Sequence, residues 1–124
     1  MFKILMGVPE MAAFWCDLEY KCKNEIASKN EKILYEKIRK TLKLLRQNPM
    51  YPSLNTHEIK VLSAKYGFKV WESYIENHKS KARRIFWAYG KNSGEITILS
   101  IEPHPEDKSN SYKKIKLSSF IEDE

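Results

Sequence analysis

The stretch Arg83-Arg84-Ile85-Phe86-Trp87-Ala88-Tyr89-Gly90-Lys91-Asn92-Ser93-Gly94-Glu95-Ile96-Thr97-Ile98-Leu99-Ser100-Ile101-Glu102 decides the reading of the fold. Its two flanks are dense in β-branched and aromatic residues, and a glycine at either end of residues 90–94 lets the chain reverse between them. Residues 82–90 and 95–102 therefore read as two antiparallel strands. Alternation along the first puts Arg84, Phe86 and Ala88 on one face of the sheet and Arg83, Ile85, Trp87 and Tyr89 on the other.

Working outward toward the N-terminus, residues 70–76 and 57–62 share that composition. They are set off by Asn77-His78-Lys79-Ser80 and Tyr66-Gly67, so both read as further strands of one meander. Residues 50–56 are a loop with two chances to turn, at Pro49 and Pro52. Before it the period changes to that of a helix. Ser28-Lys29-Asn30-Glu31 has capping-box spacing, Leu34, Ile38, Leu42 and Leu45 fall on one stripe, and Asn48-Pro49 ends the ladder. A second amphipathic segment, residues 9–24, carries Met11, Trp15, Leu18 and Cys22 at helical spacing behind Pro9 in its first turn. Residues 3–8 are a short apolar run suited to a first strand. The expected fold is α+β: an N-terminal strand, then two helices packed on one face of an antiparallel sheet of about four strands. The other face is expected to be free.

At 124 residues and 14.7 kDa the chain suits a single domain, 1–124, with residues 108–124 a loosely organised tail. The start, Met1-Phe2-Lys3-Ile4-Leu5-Met6-Gly7, lacks a signal peptide's longer apolar stretch, and no run reaches the roughly 20 apolar residues that span a bilayer. The expectation is a cytoplasmic protein with no membrane partner. Cys16 and Cys22, six apart on a helix, point about 240° apart and cannot bridge locally. His57, His78, His104 and Asp107 show none of the paired spacings of zinc ligands, so no metal and no cofactor are expected.

Charge is unevenly spread. Residues 1–58 hold ten Lys/Arg against seven Asp/Glu, residues 59–91 eight against two, and residues 92–124 four against seven. The basic middle third is interleaved with Tyr66, Phe68, Trp71, Tyr74, Phe86, Trp87 and Tyr89, a mixture suited to phosphates and stacked bases. Within it, Arg84 on the free face is a candidate fixed guanidinium able to donate a two-pronged hydrogen bond to a phosphoryl group. Directly after the last strand, Pro103-His104-Pro105-Glu106-Asp107 holds an imidazole between two prolines, with little backbone freedom left to lose and a proton to give or take near neutral pH.

In order along the chain, Leu44-Leu45-Arg46-Gln47-Asn48-Pro49, His57-Glu58-Ile59, Val70-Trp71-Glu72 and Arg83-Arg84-Ile85-Phe86-Trp87-Ala88 resemble the RelE/ParE superfamily of bacterial toxins. The resemblance covers nearly the whole chain, from Lys3 to about Asp107. It implies the toxin of a toxin–antitoxin system, an mRNA-cleaving endoribonuclease that acts with the ribosome, blocks translation and is held in check by a cognate antitoxin. It also implies roles. Arg84 matches the arginine that stabilises the scissile phosphate in the RelE and YoeB branches, His104 the catalytic histidine at the end of the last strand in YoeB and YafQ, and His57 a histidine used by YafQ. The chain departs from YafQ in lacking its third-strand histidine, and from RelE in carrying His104-Pro105-Glu106-Asp107 where that branch is basic.

Metal-independent RNA cleavage needs a base for the 2′-hydroxyl, neutralisation of the phosphorane and an acid for the departing 5′ oxygen. The resulting assignment gives Arg84 the phosphorane, His104 the acid, and His57 the base or substrate orientation. Lys79, Lys81 and Arg83 supply phosphate contacts and Asp107 orients His104. The alternatives are a ParE-like gyrase inhibitor, which His104 speaks against, and a non-catalytic RNA-binding module using the same basic surface.

Overall fold

A computed structural model describes residues 1–6, 8–76 and 82–103. Pro9 opens helix α1 (Pro9–Lys23), with Glu10 in its first turn and Lys21 and Lys23 in its last, both matched to the helix dipole. Helix α2 (Lys29–Gln47) starts at the expected capping box: Ser28 Oγ accepts from the Glu31 N–H, and the Ser28 N–H donates back to Glu31 Oε1. A 3-10 turn (Pro52–Leu54) follows the Asn48-Pro49 stop.

The sheet is five-stranded and mixed, in the order β1-β5-β4-β3-β2, with β1 (Lys3–Leu5), β2 (His57–Glu58), β3 (Trp71–Tyr74), β4 (Arg83–Tyr89) and β5 (Glu95–Pro103). From β2 to β5 every pairing is antiparallel, as the meander requires, whereas the last strand, β5, pairs on its other side in parallel with the first, β1. The expectation of about four antiparallel strands is thus refined to four plus a parallel edge. Helices α1 and α2 lie on one face, where Leu18, Tyr35, Ile38, Leu42 and Leu45 close over Ile85, Trp87, Ile96 and Ile98.

Two expectations are corrected. Residues 57–62 are not a strand: pairing ends at Glu58, and Lys60–Tyr66 form helix α3. Ile59, Leu62 and Tyr66 fall at helical rather than alternating spacing, and Gly67, at a φ of 79° that favours glycine, terminates the helix. The second face of the sheet is consequently not free. Ile59 and Leu62 join Val8 and Val70 over Phe86, Ala88 and Leu99, so half of that face is a second apolar core. Leu99 joins it because β5 is bulged there: Phe86 pairs with Ser100 and Trp87 with Ile98, leaving Leu99 without an opposite residue on β4. Among the described residues no helix is long and apolar enough to cross a membrane.

Candidate active site

Register lines up residues of the second face in two rows across the strands. One runs His57, Glu72, Phe86, Ser100; the next runs Tyr74, Arg84, Glu102. Helix α3 covers the Phe86, Ala88 and Leu99 end, so the first row borders that cover at Phe86 and the second lies beyond it, where β4 begins and β5 finishes.

Arg84 sits where alternation placed it but is not displayed on an open surface: only 4% of it is exposed. Its Cζ lies 3.7 Å from the Tyr74 ring centroid, a stacking that favours a desolvated cation. Nη1 donates to the Glu76 carbonyl at 2.7 Å and to the Arg83 carbonyl at 3.3 Å. The buried Nε–H has no partner among the described residues. Glu76 is itself fixed, its carboxylate taking Lys37 Nζ of α2 at 2.6 Å and the Arg83 N–H at 3.0 Å. The guanidinium is therefore oriented in advance, with Nη1 committed to two carbonyls.

His57 is held from both sides. Nδ1 meets the Asn55 carbonyl at 2.8 Å and Nε2 meets Glu72 Oε1 at 3.0 Å. A carbonyl only accepts, so Nδ1 is the donor on that side, while Nε2 faces the fully buried Glu72 carboxyl. With both nitrogens engaged, His57 has no lone pair to offer a substrate, and its expected role as base is not supported by this geometry. It instead ties the two-residue β2 to β3 and gives Glu72 a partner. The loop before it is anchored as well. Trp87 Nε1 donates to Ser73 Oγ at 2.9 Å, and Thr56 Oγ1 lies 2.6 Å from Ser73 Oγ and donates to the Pro49 carbonyl.

The second carboxylate is Glu102, opposite Arg84 on β5, with Oε2 accepting from the hydroxyl of buried Ser100. Glu72, Tyr74, Ser100 and Glu102 are absent from the sequence-based assignment. The signal for them was available in the alternation: Glu72 and Tyr74, and Ser100 and Glu102, are two apart, as are Arg84 and Phe86.

Of the expected residues, the fold brings Arg84 and His57 to one face. Arg83 is on the other face, half-buried, so the neighbouring arginines do not converge. Lys79, Lys81, His104 and Asp107, and the tail 108–124, lie outside the described residues. Strand β5 runs to Pro103, paired with Arg83, which is the residue before His104 in the chain. Cys16 is exposed and Cys22 partly buried, and both are free thiols. A scan of protein-family models matches none, and comparisons with curated proteins and with solved structures find no match.

Proposed function

We infer that this chain is the toxin of a toxin–antitoxin pair: an endoribonuclease of the RelE type that cleaves mRNA on the ribosome without a metal and is silenced by a cognate antitoxin. The observation that supports this reading most is the state of Arg84. A guanidinium stacked on Tyr74, anchored through Nη1 and left with a buried Nε–H that has no partner among the described residues, suits a phosphorane whose charge develops only in the transition state.

In this reading Arg84 takes the phosphorane charge and His104, following β5, protonates the departing 5′ oxygen with Asp107 orienting it. Lys79 and Lys81, which precede β4 in the chain, contact flanking phosphates, and Arg83, on the other face, takes no part. His57 and Glu72 hold β2 against β3 and so keep Tyr74 under Arg84.

The test is induction in a bacterium. Protein synthesis should stop within minutes, and primer extension should reveal new mRNA 5′ ends at discrete sites. Arg84→Lys and His104→Ala should each abolish both effects while the proteins stay folded. Arrest without new 5′ ends, accompanied by DNA breaks, would replace RNA cleavage by gyrase inhibition.

A further inference from the structure

Resting on the nuclease reading, we propose that Glu102 is the general base of the reaction and that Ser100 positions it. The base must be an acceptor on the Arg84 face, within reach of the phosphate that Arg84 holds. His57 does not qualify, because both ring nitrogens are already engaged. Glu72 does not qualify, being fully buried and tied to His57. Glu102 does. It is directly opposite Arg84 across β4 and β5, a separation of roughly 5 Å between Cβ atoms in an antiparallel pair, and it is only partly buried.

Its orientation is built in. The Ser100 hydroxyl donates to Oε2, and among the described residues Oε1 accepts no hydrogen bond. The β5 bulge makes this possible. Leu99 is the extra residue, so the strand beyond it keeps Ser100 opposite Phe86 and Glu102 opposite Arg84, on the Arg84 face; without the bulge both would turn to the α1–α2 side. An apolar core at Leu99 and a carboxylate at Glu102 are thereby placed on the same face three residues apart.

The step balances without a further reactant. Glu102 Oε1 takes the 2′-hydroxyl proton as O2′ bonds to phosphorus. The P–O5′ bond then breaks, its electron pair leaves with O5′, and water returns a proton to that oxygen. The products are a 2′,3′-cyclic phosphate and a 5′-hydroxyl, with no change of oxidation state.

The experiment measures single-turnover cleavage of a ribosome-bound mRNA by the full chain, with affinity and thermal midpoint measured in parallel. Glu102→Gln should lower the rate at least 100-fold with affinity within threefold of the parent, and Glu102→Asp should recover part of the loss. Ser100→Ala should lower the rate about tenfold at unchanged affinity, and Ser100→Thr should restore it by returning the hydroxyl. If the parent protein cleaves and Glu102→Gln cleaves within threefold of it, the base assignment falls while the nuclease reading stands. If the parent cleaves neither ribosome-bound nor free RNA, both fall together. A Glu102→Gln chain that does not fold shifts the decision to Ser100→Ala against Ser100→Thr, where equal rates would overturn the proposal.

Discussion

The second face of the sheet is two surfaces on one set of strands. At one end Phe86, Ala88 and Leu99 are sealed under Ile59 and Leu62 by a seven-residue helix; at the other, Tyr74, Arg84, Ser100 and Glu102 are left beyond that cover. On β4 both ends come from one alternation, and on β5 the bulge at Leu99 brings both to the same face, so what separates them is which side chains stand there. Apolar residues there pack against α3, whereas Arg84 is held by Tyr74 and backbone carbonyls and Glu102 by Ser100. The apolar end gives β4 and β5 the rigidity against which a guanidinium can be held to within a fraction of an ångström. The polar end carries a cost that an apolar side chain would not, a buried Nε–H with no partner among the described residues.

Substitutions that act on one end alone break this comparison most sharply. Arg84→Lys keeps the charge but loses the planar fork and its stacking on Tyr74. We expect single-turnover RNA cleavage to fall on the order of 10²- to 10³-fold, with affinity changed only a few-fold. Full activity in this variant would reduce Arg84 to part of the basic surface.

At the apolar end, Leu62→Ala removes the fully buried anchor of α3 and should cost about 2–5 kcal/mol in urea unfolding. Under conditions where the variant is still folded, its cleavage rate should stay within a few-fold of the parent. A 100-fold loss there would show that the two ends are not separable.

Glu72→Ala tests the seam between β2 and β3. It strands His57, which at 45% side-chain exposure can turn to water, so the cost should be about 1–2 kcal/mol rather than that of a fully buried orphan. Because β2 has only two paired residues, amide exchange should rise first at His57 and Glu58. Uniform exchange across the sheet would contradict the local role given to this pair.

The smallest effect lies farthest from the site. Ser28→Ala should cost about 1 kcal/mol and leave cleavage unchanged. The Ser28 backbone N–H, with Lys21 beside it, holds the Glu31 carboxyl below the usual carboxylate range. A depressed folded-state pKa adds stability above the unfolded value, near about 4.3, and that stability is lost as pH falls through the lower folded value. Unfolding followed from about pH 5 downward should therefore show a shallower loss in Glu31→Gln than in the parent. An identical slope would mean that the capping box does not titrate.

Much of this was legible in the residues. Helices α1 and α2, the capping box, the three antiparallel strands at their core and the face occupied by Arg84 follow from period and turn chemistry, which act locally. Helix α3 was not legible as a helix, because Val61 and Leu62 suit a strand as well as a helix over so short a run, and only packing of Leu62 against Phe86 and Leu99 decides between them. The site was half-legible. Arg84 was found by its chemistry, but its burial and the engagement of both His57 nitrogens depend on Tyr74, Asn55 and Glu72, whose distances no sequence spacing gives. Glu102 depends on a bulge, and a bulge is a tertiary choice that shifts register by one residue.

The central claim is that the polar end promotes attack of a 2′-hydroxyl on its own phosphate. It is tested most directly by cutting two ribosome-bound mRNAs that differ only in one 2′-hydroxyl, present or replaced by hydrogen on the nucleotide 5′ of the mapped cleavage site. The account predicts that the first is cleaved to a 2′,3′-cyclic phosphate and a 5′-hydroxyl, and that the second is left intact at that position. Equal cleavage of the two, or products ending in a 5′-phosphate, would contradict it.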